Sequence, residues 1–245
     1  MYLNQPYLVN ELTRAMGILP HTHGEAVLDS NEFKQVFEKY NSGGWQIATH
    51  SQGDKSNIEV QSAISTLDSP GKNEKRHRLE HGILLPKEAL PGYAALNMTP
   101  SFHINHIYYY GDALAESIIG SDRAEKLLPV KSAFELNMRP TLHADAPMFP
   151  TDAFSLIKTA VTRKTRSGRV LGKEQAITVQ QGLRALTING AWQLYEDERL
   201  GSIEKGKLAD LTILSDNPYT VDTDELEKIK VNQVYLQGEI VYKRD

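Results

Sequence analysis

Cysteine is missing from all 245 residues of the chain. Disulfide bridges, thiolate metal sites and a cysteine nucleophile are thereby excluded, and any metal must be held by histidine, aspartate or glutamate. Long apolar runs are missing too. No stretch is long enough to span a bilayer, and the N-terminus has neither the basic region nor the apolar core of a secretion signal. Nor is there a large charge of one sign, since 27 basic residues stand against 31 acidic ones for a formal −4. That near balance gives no electrostatic case for nucleic acid or an anionic membrane surface. No Gly-X-Ser-X-Gly elbow occurs, so nothing points to a serine nucleophile. These absences leave a soluble chain that fits the cytoplasm. It is long enough for one large core or a medium domain with a small one, and a homo-oligomer stays open.

What is present is a rhythm. Residues 1–31 are broken by Pro6, Gly17, Pro20 and Gly24 and read as a loop with at most a helical turn about 11–16. Asp29 or Ser30 caps a predicted helix over about 32–40, with Phe33, Val36 and Phe37 as its apolar face. A strand at 45–50 comes next, then a helix from Asn57 through Ile58, Ala63, Ile64 and Leu67 that ends before Asp68-Ser69-Pro70-Gly71. A strand at 76–82 leads to a short helix opened by Pro86, with Pro91-Gly92 as a possible interruption, and to a further strand at 99–104. Residues 105–137 exceed an ordinary crossover; there Asp122 and Glu125 have capping-box spacing, and Pro129 starts a helix to about 136. A strand at 140–145 and a helix at 151–164 complete the alternation, which implies right-handed βαβ units and a parallel sheet. Beyond a polar connector, Thr178 and Gln181 form a capping box for a helix burying Val179, Leu183, Leu186 and Thr187. A strand at 208–214 and a hairpin about Gln237-Gly238 close the chain.

Three of the predicted strands end on residues that carry chemistry. Ile47-Ala48-Thr49-His50 delivers His50, Arg78-Leu79-Glu80-His81 delivers His81, and Thr141-Leu142-His143-Ala144-Asp145 delivers Asp145. Strand C-terminal ends are where α/β barrels keep their active sites. Two imidazoles and a carboxylate suit a divalent metal, and zinc accepts such ligands for hydrolytic work. The alternatives are buried histidines satisfied by backbone and an aspartate that caps the helix near Pro147. Glu80 alternates to the side opposite His81. His143 falls on the same side as Asp145, one layer deeper, where it can hydrogen-bond a ligand. His103 and His106 are candidates for the substrate side, where either could orient a carbonyl, and read equally as rim histidines. Tyr108-Tyr109-Tyr110 reads equally as a gripping loop or as cover for the rim. His21-Thr22-His23, bracketed by Pro20 and Gly24 with no apolar strand before it, reads as loop histidines.

The tail Gly201-Ser202-Ile203-Glu204-Lys205-Gly206-Lys207-Leu208-Ala209-Asp210-Leu211 resembles the signature with which metal-dependent amidohydrolases re-enter their small β-sandwich. His50-Ser51-Gln52-Gly53-Asp54, Arg78-Leu79-Glu80-His81 and His143-Ala144-Asp145-Ala146-Pro147 are similar to the branch that contains N-substituted formamide deformylases. The resemblance runs from about residue 2 to the end. It implies an α/β fold: strands five to eight of a (β/α)8 barrel of TIM type over residues 1–200, and a β-sandwich portion over 201–245. It implies a divalent metal, usually zinc, held by His50, His81 and Asp145, with Asp145 also handling the proton of the attacking water. The implied reaction is hydrolysis of a carbon–nitrogen, amide-like, non-peptide bond in a small molecule.

The same resemblance exposes a gap. Leu3-Asn4-Gln5-Pro6-Tyr7 resembles the segment just past the fourth barrel strand, and the His-X-His pair of strand one and the lysine of strand four have no counterpart. Only four strand–helix beats fall between residues 45 and 164, whereas a closed barrel of this type needs eight. The expectation is an incomplete barrel with open edges, poorly active alone. The competing expectation is a non-catalytic remnant that binds a metal or a partner.

Overall fold

The structure is a computed structural model, and it describes residues 1–67 and 74–245. The expected stop at Asp68-Ser69-Pro70-Gly71 lies outside the described residues. The chain opens as an extended segment whose Leu3 and Tyr7 amides donate to His23 O and Thr22 O. A single turn, α1 (Glu11–Ala15), comes next under an Asn10 cap. Helix α2 (Ser30–Ser42) starts at Asp29, whose carboxylate accepts from the Asn31 and Glu32 amides while Glu32 returns the bond. Phe33 and Phe37 pack together on its inner side, but Val36 is 44% exposed. At 100° per residue Val36 lies 100° from Phe37, at the edge of the face, so only the i, i+4 pair is fully used.

Four parallel strands form the next part of the chain: β1 (Ala48–Ser51), β2 (Arg78–His81), β3 (Thr99–His103) and β4 (Thr141–His143), paired in that order. The intervening helices are α3 (Asp54–Ser65) and α4 (Leu90–Ala95), then α5 (Asn105–Ala113), α6 (Ser121–Ala124) and α7 (Val130–Glu135) within the long crossover. Pro91 and Gly92 do not interrupt α4. Pro91 stands in the first turn, where the missing amide hydrogen costs nothing. The expected Asp122 cap is not made; α6 starts at Gly120, with φ of 87°, and Asp122 lies inside its first turn. Gly53 explains itself by packing, because a Cβ there would come within 1.9 Å of Tyr2 O in the crossing N-terminal segment.

Helix α8 (Ala153–Thr162) is capped by Asp152, and α9 (Val179–Leu186) by the expected Thr178–Gln181 box. After α10 (Ile188–Gln193) come β5 (Leu211–Leu214), β6 (Val231–Leu236) and β7 (Glu239–Lys243), a separate antiparallel sheet with its hairpin at Gln237-Gly238. The architecture is thus α/β, with a parallel sheet and a smaller antiparallel one. One core runs through Leu79, Phe102, Ile104, Ile107 and Leu142, and a second joins Phe154 and Ile157 of α8 to Leu226 and Ile229.

Candidate metal centre

Strand alternation sorts the parallel sheet into two faces. In register, His50 stands beside Glu80, Glu80 beside Ser101, and Ser101 beside Thr141; two residues on, His103 stands beside His143. The other face carries Leu79, Phe102 and Leu142 into the core. The polar face has a hydrogen-bonded floor. Gln193 of α10 accepts from the Thr141 hydroxyl at 3.1 Å and donates to that of Thr99 at 3.2 Å, and Arg78 Nε holds Glu80 at 2.8 Å. The histidines sit above that floor at the strand ends.

By alternation His81 belongs on the core face, level with Ser51 and Phe102. Its φ of 74° turns it back. The ring lies 4.4 Å from that of His50 and 5.0 Å from that of His143, both on the polar face. A left-handed non-glycine residue costs about 1–2 kcal/mol. The expectation that Glu80 and His81 diverge is therefore corrected. Glu80 shares the face of His50, and it is close enough to favour protonation of both His81 and His143.

His103 is completely enclosed, with the His106 ring 3.9 Å away, that of His143 at 5.0 Å and that of Phe149 at 5.4 Å. His106, at the start of α5, uses its Nδ1 on His103 O at 3.1 Å. Asp145 lies two residues past the end of β4, with φ of 55° and its carboxylate 41% exposed. Its Oδ2 is 3.9 Å from His103 Nδ1. Its backbone carbonyl, rather than its side chain, accepts the Met148 amide, so the alternative helix-cap role is not what the side chain performs here. Above the site Phe149 stacks on Tyr109 at 4.2 Å with 3° between planes and meets Tyr110 edge-on. Two of the three tyrosines thus border the strand ends. Phe149 is the residue that sequence reasoning passed over, although it lies only four positions beyond Asp145.

Hydrogen bonding separates these histidines from the rest. His77 is buried with Nδ1 on the Ile47 amide at 2.9 Å and Nε2 on Asn41 at 3.0 Å, and His23 uses its Nδ1 on Leu3 O. His81 Nδ1 and His143 Nε2 have no partner, and neither nitrogen of His103 makes a hydrogen bond of ordinary geometry, although the Ala144 backbone lies close enough to favour its protonated form. Burial, with neighbouring imidazoles adding to it, pushes His81 down to about 4 and His103 to about 2. Burial also lowers His106 to about 4, and it lowers His143. Neutral imidazoles with free lone pairs are what a divalent cation requires. One donor atom each of His81, His103 and His143 falls within 4.8 Å of the others, so the residues present fit a metal. Of the three expected ligands only His81 belongs to this group; His50 and Asp145 lie outside it, as do His21 and His23.

The chain is 35% identical over 119 residues to the N-substituted formamide deformylase of Arthrobacter pascens, covering 49% of this chain and 22% of that protein. It is 28% identical over 231 residues to Protein LONG AFTER FAR-RED 3 of Arabidopsis thaliana, covering 91% of this chain and 38% of that one. An uncharacterized metal-dependent hydrolase from Pyrococcus horikoshii OT3 superposes with a TM-score of 0.74 at 24% identity, covering 91% of this chain and 42% of that one, a likeness of fold. The chain spans about two fifths or less of the length of the curated relatives it matches. The model of the amidohydrolase family matches residues 1–242, and the chain belongs to that family.

Proposed function

We propose that the chain is the C-terminal half of a metal-dependent hydrolase acting on amide-like, non-peptide carbon–nitrogen bonds of small molecules. In this reading residues 1–200 are strands five to eight of a (β/α)8 barrel with their helices, and 201–245 are part of the β-sandwich. The observation that carries it is the group of neutral, unpartnered imidazoles at the C-terminal ends of adjacent parallel strands, with the Asp145 carboxylate beside them. His50, His81 and Asp145 would hold a divalent ion, zinc by ligand preference, and such an ion supplies Lewis acidity to a hydrolytic water and to the substrate carbonyl.

The chain's own residues do the rest. Asp145, half exposed and not engaged as a cap, accepts the proton of the attacking water and returns it to the leaving nitrogen. Tyr109, Tyr110 and Phe149 form an aromatic cluster against which an organic substituent packs. His106 holds the His103 carbonyl and, being nearly enclosed, would meet substrate only at its inner end, whereas His103 is fully enclosed and does not face it. A second reading, a metal- or partner-binding module without turnover, is favoured by one feature. Among the described residues, β1 and β4 each pair on a single side.

The test is an assay of the purified chain with zinc, manganese and cobalt against N-formyl amines and simple amides. Weak turnover, abolished by chelator and by Asp145→Asn, is expected. Rates of an ordinary enzyme would remove the claim of incompleteness. If metal-dependent hydrolysis were absent both alone and with a polypeptide supplying the missing strands, the binding-module reading would replace this one.

A further inference from the structure

The deep wall of the site carries donors that His50, His81 and Asp145 leave unused. His103 has no exposed surface and no hydrogen bond of ordinary geometry at either nitrogen, and His143 Nε2 and His81 Nδ1 are unpartnered. A buried polar atom left without a partner is destabilising. Neutral imidazoles can relieve one another, each having one donor and one acceptor nitrogen, yet none of these does so. They arrive from three adjacent strands, with His103 and His143 in register and His81 turned toward them by its left-handed backbone. Two separate departures from ordinary packing, the reversed His81 and the unpaired His103, thus lead to one point.

We propose that His81, His103 and His143 form a tris-imidazole zinc site, deeper than the one assigned to hydrolysis and sharing only His81 with it. An all-nitrogen set selects zinc or cobalt over magnesium and calcium, which take oxygen ligands. Asp145 stays outside the set and keeps its exposed carboxylate. His103 and His143 are fixed by sheet register and His81 by its left-handed backbone at the end of β2, so the ligands sit on strands rather than on loops. The inference rests on the hydrolase reading only for the location of the centre.

The experiment titrates zinc and cobalt into the metal-free chain, following the visible cobalt bands, and counts imidazole ligands in the zinc-loaded chain by X-ray absorption. Three imidazoles are expected. His103→Phe and His143→Phe should each weaken zinc at least about 100-fold, the upper end of what losing even an outer partner of a metal site costs. His50→Ala and Asp145→Asn, which remove ligands of the hydrolytic set only, should leave the cobalt bands and the count of three imidazoles in place, and excess magnesium or calcium should not compete. Unchanged affinity in His143→Phe, together with loss in His50→Ala or Asp145→Asn, overturns the proposal. Should the phenylalanine variants fail to fold by circular dichroism, the ligand count of the parent decides, two imidazoles with a carboxylate being the overturning result. No arm reads turnover, so a chain that binds as stated leaves the site standing whether or not the hydrolase reading survives its own test.

Discussion

At the scale of single residues, the centre is a matter of protonation. His81, His103 and His106 have folded-state pKa values of about 4, 2 and 4, held below the usual 6.5 first by burial. Between those values and 6.5 the unfolded chain binds more protons than the folded one, so stability falls as pH drops through that window and is fully present above it. At pH 5 the metal-free chain should lose about 2 kcal/mol per such histidine. Urea midpoints measured from pH 7.5 to pH 5 check this, and His103→Phe should flatten the slope. Asp145 has a different test. In a form that turns over, Asp145→Asn keeps one oxygen toward the metal but cannot take a proton, so kcat should fall on the order of 10²–10⁴-fold with little change in KM. Near-normal kcat would mean the carboxylate is not the base.

At the scale of elements, two contacts fix how segments meet around the sheet. Arg163 comes directly after α8 with no exposure, and its guanidinium donates to Leu171 O at 2.9 Å, Leu128 O at 3.0 Å and Leu127 O at 2.5 Å. It ties α8 to the end of the long crossover. Arg163→Met removes the fork and takes the guanidinium donor from three carbonyls, of which Leu128 O keeps the Val130 amide, and should cost on the order of 3–5 kcal/mol. Lysine should not restore it, because a single ammonium lacks the planar fork. Gly53, between β1 and α3, is the second contact. Ala at 53 drives a methyl into Tyr2 O, and a clash with backbone should destabilise by about 1–3 kcal/mol. Thermal unfolding of both variants measures these costs; a neutral Gly53→Ala would show that the N-terminal segment does not cross β1 as described.

At the scale of the whole molecule, a cation held by side chains of β2, β3 and β4 clamps three of the four parallel strands. Zinc at about 100 times its Kd stabilises the folded state by about 2.7 kcal/mol, which for a chain of this size raises Tm by roughly 5–10 °C. Calorimetry with zinc and with chelator should show that gain, and His143→Phe should lack it. A zinc-independent Tm would mean that the strands are not bridged. The antiparallel sheet should not report the ion directly, since β5–β7 contribute none of the imidazoles.

Much of this was legible in the sequence because it depends on neighbours in the chain. The caps at Asp29 and Thr178, the parallel alternation, the hairpin at Gln237-Gly238 and the arrival of His50 and His81 at strand ends all come from local spacing, and the tail motif pointed to the family. The sequence by itself also decided what the site is made of, since without cysteine only nitrogen and oxygen donors remain. Tertiary structure alone decided which of those donors meet. A two-residue period puts His81 on the core face, and only its positive φ, imposed where β2 ends, returns the ring to His50 and His143. Enclosure of His103 likewise depends on α5 and on Phe149, which close over it from separate segments. Periodicity sets the direction of a side chain only while the backbone stays regular, and at the strand ends, where this chemistry sits, the backbone does not.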